Sequence, residues 1–240
     1  MVILVRADQE SDRLKKLRRW ILELRIIRDE VRSLLLGAKI FWEVQKILAA
    51  NPRALSHRLF NDWIATNHGI ATAVGIRRQL DKDSRSVSLK KLLIEIEATL
   101  HTSPELLSRA NFLRHFRPEL ESRADAQFSE LVGANTTRVE SAYVERDIKR
   151  LNEVTEKMER YVNKRIAHRD AQEIERRKLG ELDECLGLLE EIVDRYTRLL
   201  TGSGSSVTPE LSPDWKSVFK VAWASPARRG RRAIGPSTRN

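Results

Sequence analysis

Seven apolar or aromatic side chains near the end of the chain recur at alternating spacings of three and four residues. They are Leu179, Leu182, Leu186, Leu189, Val193, Tyr196 and Leu200. This spacing places a narrow stripe on one face of a helix and is typical of helices that pack at shallow angles in bundles. An earlier segment has the same pattern, in Val144, Ile148, Leu151, Thr155, Met158 and Val162. The sequence therefore predicts two antiparallel helices joined by a polar connection at residues 166–172.

The rest of the chain also favours helices. Residues 12–49 contain no proline and a single glycine, with apolar side chains near helical spacing, and Pro52 should end that helix because the residue before a proline leaves the α region. A second helix is expected at about residues 55–80, followed by a polar loop at 81–86. With only 10 Gly and 7 Pro among 240 residues and no sustained alternation of apolar and polar side chains, a turn-rich β fold is excluded. We predict an all-α helical bundle.

Three short signals mark further helix starts. Either Ser86 or Ser88 can cap a helix that runs through Leu100, since a serine hydroxyl accepts a hydrogen bond from a free backbone N–H. The segment Ser103-Pro104-Glu105 combines a capping residue, a proline at the first helical position and an acid in the first turn. The segment Thr137-Arg138-Val139-Glu140 matches a capping box, which predicts that the penultimate helix begins there.

The positive charge is concentrated at the C-terminus. The net charge is +10, and half of it lies in residues 201–240, which hold seven basic and two acidic side chains and open with a Gly/Ser-rich linker. We therefore predict two regions: a helical bundle at 1–200, and a region at 201–240 with a linker, a short tryptophan-containing segment and a basic disordered tail. The tryptophan-containing segment either docks on the bundle or stacks on unpaired bases, and the tail either binds nucleic acid or merely solubilises the protein.

Most standard catalytic signatures are missing. A single cysteine, Cys185, excludes a disulfide framework and a cysteine-based zinc site, and we find no metalloprotease, phosphate-loop or serine-hydrolase motif. No histidine shows a second ligand-type residue at metal spacing, so we expect no metal and no other cofactor. The longest nearly apolar run, residues 33–42, is too short for a membrane span, and we expect a cytoplasmic protein without a membrane partner.

His168 stands apart from the other four histidines. It follows the predicted end of a long helix, with Lys164, Arg165 and Arg169 beside it and Asn163 about one and a half turns earlier. Nearby cations favour the neutral imidazole, which can accept a proton. The same position equally suits a histidine that caps the helix C-terminus through free carbonyl groups. The residues alone leave these two roles open.

The segment Tyr161-Val162-Asn163-Lys164-Arg165-Ile166-Ala167-His168-Arg169-Asp170 resembles the signature of the HEPN superfamily, and especially its abortive-infection AbiU-like branch. That branch typically has Arg-Asn-Lys, two variable residues and then Ala-His-Arg-Asp. The loop at residues 81–89 and the segment at 214–219 are also similar to that branch. The resemblance covers roughly residues 12–223.

This resemblance implies a HEPN-like bundle that acts on RNA in a toxin or defence system. Active HEPN proteins are metal-independent RNA endonucleases that dimerise, so that each subunit contributes to one composite site an arginine and a histidine that are separated by four to six residues. The implied partners are a second copy in a homodimer, RNA, and an antitoxin or other defence protein. The implied catalytic residues are His168, Asn163 and Arg165, and the implied RNA-binding residues are Arg160, Lys164, Arg169, Arg228, Arg229, Arg231 and Arg232.

The chain departs from the branch at one position. Val162 stands where the branch usually has its arginine, and the nearest alternatives are Arg160 and Arg165. A shift of two or three residues along a helix turns a side chain by about 200–300°. Three functions therefore stay open: a ribonuclease with a displaced cation, a catalytically weakened module that binds RNA or protein, and a helical scaffold without a role in nucleic-acid binding.

Overall fold

The computed structural model describes residues 2–165, 176–202 and 206–220. Eight α-helices and three short 3-10 helices lie within these ranges, which contain no β-strand, and the predicted all-α bundle is confirmed. The α-helices are α1 (Val2–Ala49), α2 (Pro52–Leu55), α3 (Arg58–Gln79), α4 (Leu89–Leu100), α5 (Arg109–Leu113), α6 (Glu121–Val132), α7 (Ser141–Arg165) and α8 (Arg176–Thr201). The 3-10 helices are Pro104–Leu107, Pro118–Leu120 and Trp215–Lys220. No helix in the described part of the chain is long and apolar enough to span a bilayer.

The first helix is the element around which the others pack. It has 48 residues, which corresponds to about 70 Å at 1.5 Å per residue, and it ends at Ala49, directly before Asn51 and Pro52 as predicted. Its inner face buries Trp20, among other side chains, and packs against α3, α4 and α8. All three neighbours run antiparallel to α1, because later positions in α1 meet earlier positions in each neighbour. Glu30 and Phe41 contact Gln79 and His68 of α3, and Lys16 and Trp20 contact Thr99 and Glu95 of α4. Trp42 contacts Asp183 near the start of α8, whereas Leu17 lies beside Leu199 near its end.

The apolar stripes of the last two long helices are buried much as predicted. All seven stripe residues of α8 are buried. In α7, Val144, Leu151 and Met158 are buried and Ile148 is half-buried. The stripes nevertheless face different neighbours, since α7 packs mainly on α4 while α8 packs mainly on α1.

Long polar side chains join α7 to α8. Arg195 of α8 donates to both carboxylate oxygens of Asp147 at 2.7 and 2.8 Å, and Arg150 of α7 donates to Glu191 at 2.8 and 2.6 Å. The order of these pairs along the two helices shows that α7 and α8 are antiparallel, as expected.

Of the two candidate caps for α4, the structure uses Ser88. Its hydroxyl accepts a hydrogen bond from the Lys91 N–H at 3.2 Å and donates to the Asp81 carbonyl at 2.5 Å. The Gln79 side chain adds a second link, because its oxygen accepts from the Leu89 N–H and its nitrogen donates to Glu30 on α1. The end of α3, the start of α4 and the middle of α1 are therefore tied together.

Two predicted helix starts differ from the structure. The capping box at Thr137 is wrong: α7 begins at Ser141, and the Thr137 carbonyl instead accepts from the Arg109 N–H at 2.8 Å. The Val139 N–H donates to Leu107 at 2.9 Å, so this segment forms an isolated β-bridge in place of a helical turn. The segment after Ser103 forms the 3-10 helix Pro104–Leu107, without a side-chain cap.

The chain divides into two compact units, residues 1–209 and 210–240. After α8 the chain turns back along the first unit. There Val207 is fully buried, its N–H donates to Asp194 at 3.0 Å, and Lys39 donates to the Pro209 carbonyl at 2.9 Å. In the second unit, the described segment is the 3-10 helix, in which Trp215 and Phe219 pack edge to face with ring centroids 5.9 Å apart.

We predict that Arg109 is a major source of stability. Its guanidinium donates to Asp125 at 2.6 Å, to Ser129 at 3.0 Å and to the carbonyls of Thr136 and Ala134, and it lies 4.9 Å from the centre of the Phe128 ring. Substituting Arg109→Met leaves these partners unsatisfied and should lower the free energy of unfolding by about 2–4 kcal/mol in urea titrations.

The matched control is Arg138→Met, on the segment that pairs with Arg109. Arg138 makes one exposed ion pair with Glu140 at 2.9 Å, so the loss should stay below about 1 kcal/mol. Equal losses for the two variants contradict this account.

Candidate functional site

The motif that carries the family resemblance lies at the end of α7. The helix includes Arg160, Asn163, Lys164 and Arg165, and it ends at Arg165. His168 and Arg169 lie outside the described residues, as do the tail arginines Arg228, Arg229, Arg231 and Arg232. The elements that pack around α7 therefore fix the position of the helix end at which the motif begins.

A buried lysine marks the point where α7 extends beyond α4. Lys90, in the first turn of α4, is only 2% exposed, and its Nζ donates to the Thr155 hydroxyl at 3.2 Å. At the other end of this antiparallel pair, Glu145 of α7 lies near Glu97 and His101. The ten residues from Thr155 to Arg165 therefore project about 15 Å past the start of α4.

The start of α8 lies against the C-terminal half of α1. Trp42 of α1 donates its indole N–H to Asp183 at 2.6 Å, and Asp183 is in the second turn of α8. Burial raises the pKa of Asp183, although the hydrogen bond from Trp42 acts in the opposite direction. This contact fixes the entry of the chain into α8, close after the motif.

The N-terminal half of α3 belongs to the same end of the bundle. The His68 ring stacks on the Phe41 ring of α1, with centroids 4.1 Å apart and planes 10° apart. Burial lowers the pKa of His68, so the stacked imidazole is neutral at pH 7. His68 thus has a structural role, which agrees with the expectation for histidines other than His168.

A cleft lined by four arginines lies at the other end of α7 and was not predicted. Its volume is about 460 Å³. The basic residues in its wall are Arg146, Arg150, Arg195 and Arg198, and the acidic ones are Glu130, Asp147, Glu191 and Asp194. Four positive charges meet four negative ones, so the cleft has no net charge for attracting an anion.

Asp147 is the buried centre of this network. Besides Arg195, it accepts a hydrogen bond from the Tyr196 hydroxyl at 3.2 Å and faces Arg150 at 3.6 Å. Burial raises the pKa of Tyr196 well above its ordinary value, and the nearby carboxylate adds to this effect. Tyr196 therefore stays protonated and acts as a hydrogen-bond donor.

The two arginines of the network are held in their charged form. Burial acts to lower the pKa of Arg195, but Asp147 outweighs it and the pKa is raised. The hydrogen bond to Glu191 raises the pKa of Arg150, and the same bond lowers the pKa of Glu191. These groups neutralise one another, so we assign the network to holding α7 and α8 together.

The sequence pattern does not indicate this network, because charged side chains on amphipathic helices ordinarily face solvent. Asp147 is in fact 1% exposed. The available signal was Tyr196, an aromatic residue with a hydroxyl in an otherwise aliphatic stripe, since a buried tyrosine needs a polar partner.

One histidine has more ligand-type neighbours than expected. Glu97, His101 and Glu145 place one ligand atom each within 4.8 Å of one another, which contradicts the expectation that no histidine has a second ligand-type residue at metal spacing. The i,i+4 pair was visible in the sequence, but Glu145 joins it only through the packing of α7 on α4. His101 already bonds to Glu97 at 2.7 Å and its side chain is 58% exposed, so the pair accounts for this cluster without an ion.

We predict that the free energy of unfolding decreases as the pH is lowered from about 6.5. Burial lowers the folded-state pKa of both His68 and His115 from 6.5, so their contribution is complete above that value and is lost as the pH falls through the lowered folded-state pKa values. His68→Gln should weaken the decline, and His68→Gln/His115→Gln should weaken it further. Urea midpoints between about pH 5.5 and 7.5 test this; a double variant with the wild-type profile contradicts it.

Comparison with known proteins gives one match. The family model HEPN_AbiU2, described as AbiU2, matches residues 13–220. No curated protein and no solved structure matches significantly. Since the family model covers most of the 240 residues and includes the segment at the end of α7 on which the resemblance was based, the chain belongs to the AbiU2 family of HEPN proteins.

Proposed function

We propose that the protein is an abortive-infection RNA endonuclease that acts as a dimer, with His168 at a composite site. The observation that carries the proposal is the segment Ala167-His168-Arg169-Asp170, which follows α7 directly in a chain that belongs to the AbiU2 family. In this proposal the site needs no metal ion, because the attacking group comes from the RNA itself.

The proposed reaction is a transesterification within the RNA strand. The 2′-hydroxyl attacks the adjacent phosphorus while His168 accepts its proton, and the bond from phosphorus to the 5′-oxygen breaks. The leaving oxygen takes up the proton that His168 accepted, so the products are a 2′,3′-cyclic phosphate and a 5′-hydroxyl. Asn163 and Arg165 hold the phosphate, and Arg160, Lys164, Arg169 and the tail arginines bind the RNA backbone.

Because Val162 stands where the family usually has an arginine, we expect a low cleavage rate. A guanidinium aimed at the phosphate stabilises the charge that develops in the transition state, and losing one such donor costs roughly 100- to 1,000-fold in rate. Because a shift of two or three residues along a helix turns a side chain by about 200–300°, an arginine at 160 or 165 does not directly replace one at 162. The second candidate function is therefore an AbiU2-fold module that binds RNA, or a partner protein such as an antitoxin, without cutting.

The first test of the proposal compares wild type with His168→Ala after induction in bacterial cells. We expect wild type alone to arrest growth and to produce new RNA ends, mapped by sequencing of 5′-hydroxyl termini, because the variant cannot remove the proton. The matched control is His57→Ala, an exposed histidine just before α3, which should behave as wild type. Equal growth and identical RNA ends for wild type and His168→Ala contradict cleavage and leave the binding module.

The second test restores the missing cation. Val162→Arg should raise the single-turnover cleavage rate of a labelled RNA by about 10- to 100-fold, provided that His168 is present. Asn152→Arg is the control for added positive charge, since it also adds one charge, at an exposed position elsewhere on α7. A rise that is equal in both variants, or that persists in Val162→Arg/His168→Ala, rules out a specific role for this position.

A further inference from the structure

The outer face of α3 is apolar and is not covered by any other part of the described bundle. Its exposed side chains include Leu59, Trp63, Ile70 and Val74, which are 89%, 62%, 47% and 49% exposed. Their spacings of 4, 7 and 4 place them on one side of the helix, and they extend over about 22 Å. We call these four residues the α3 stripe. Phe60, 51% exposed, packs beside Trp63 with ring centroids 6.2 Å apart.

The α3 stripe carries almost no charge. Its middle is occupied by Thr66 and Asn67, both exposed and neutral, and Asp62 is the only Asp, Glu, Lys or Arg between Leu59 and Val74. The outer face of α1 is different, since its exposed Leu22 and Ile26 lie among three arginines and one acid and the face has a net positive charge; these residues are Arg18, Arg25, Arg32 and Asp29. Two copies of the α1 face would repel each other, whereas two copies of the α3 stripe would not.

We propose that the α3 stripe packs against the α3 stripe of a second copy, around a twofold axis that passes between Thr66 and Asn67. This inference rests on the proposed function in one respect: it names the surface that builds the dimer. A twofold interface uses the same patch on both subunits and must therefore be complementary to itself.

The residues of the α3 stripe meet this requirement. The midpoint of residues 59–74 falls between Thr66 and Asn67. When two such helices lie antiparallel about that point, Trp63 of one copy faces Ile70 of the other and Leu59 faces Val74. Each large side chain thus meets a smaller branched one, and a central tryptophan is typical of the residues that dominate binding energy at interfaces.

The position of the axis also suits a shared site. Gln79, which ends α3, bonds to the start of α4, and Lys90 at that start bonds to Thr155 of α7. The contacts of Gln79 and Thr155 with the start of α4 place these two residues at about the same height in the bundle. Asn67 lies twelve residues before Gln79 on α3, which is about 18 Å along the helix axis. Arg165 lies ten residues after Thr155 on α7, which is about 15 Å in the same direction. Because α3 and α7 are antiparallel neighbours, the axis and the end of α7 are at the same level of the bundle. The C-terminal ends of the two α7 helices in a dimer would then lie on either side of the axis.

The length of the stripe suits the centre of an interface. Standard interfaces bury about 800 Å² per partner, with an apolar centre and a polar rim. The stripe supplies the apolar centre over four helical turns, and Arg58 and Arg77 flank its two ends.

The test measures oligomeric state without reference to RNA. We expect wild type to sediment as a dimer at micromolar concentration. Trp63→Glu should raise the dissociation constant about 30-fold or more, with unchanged circular dichroism, because a carboxylate would be buried in the interface. Leu22→Glu is the matched control, since Leu22 is also 62% exposed but lies on α1, and it should stay dimeric. A monomeric wild type, or a Trp63→Glu protein that dimerises as wild type does, overturns the proposal.

A crosslinking experiment locates the axis directly. The native Cys185 is 2% exposed, so an introduced surface cysteine is the main reactive thiol. We expect Asn67→Cys to form covalent dimers with a short bis-maleimide, and Ser33→Cys, at an exposed position of α1, to form few. Equal crosslinking of both variants contradicts an axis at Asn67. A dimer with these properties that cleaves no RNA leaves the interface intact and removes the nuclease function alone.

Discussion

Two tryptophans on α1 fix the arrangement of the helices around it. Trp20 donates its indole N–H to Glu95 of α4 at 3.0 Å, and Trp42 donates to Asp183 of α8 at 2.6 Å. Each bond satisfies a polar group that the packing of a large ring would otherwise bury unpaired. Because α4 then fixes α7 through Lys90, both helices that flank the motif are positioned from α1. A long helix that is anchored at two levels is what gives the C-terminal end of α7 a defined place in the bundle.

The fold was largely predictable because local patterns and burial agree in α8 and α4. The seven-residue stripe of α8 is entirely buried, and Ser88 caps α4, since both features depend only on neighbouring residues. The capping box predicted at Thr137 was wrong for the opposite reason. The Thr137 carbonyl accepts a hydrogen bond from Arg109, which is distant in sequence, and no local pattern predicts that bond. The same holds for Asp147, whose burial depends on Arg195 and Tyr196 of another helix. The candidate site was predicted from the family resemblance, and His168 stays a prediction.

The α3 stripe and the end of α7 both bear on the cation that is missing at position 162. A chain with Val162 lacks the cation that its family usually carries at that place, so the proposed nuclease needs charges from other residues near the phosphate. The proposed twofold axis would double every cation near the end of α7, including Lys164 and Arg165 of both copies. The interface and the weak motif are thus parts of one question, which is whether two incomplete sites make a functional one.

The pairing of Asp147 with Arg195 has a consequence for how such chains can diverge. Removing one member of a buried ion pair leaves an uncompensated charge and costs about 3–5 kcal/mol, whereas replacing both with apolar residues of similar volume is often neutral. Tyr196 adds a third group that depends on the same carboxylate. A single substitution at Asp147 or Arg195 therefore destabilises the protein, and we expect both residues to be replaced together in the course of evolution. Among relatives, the residues at positions 147 and 195 should therefore co-vary.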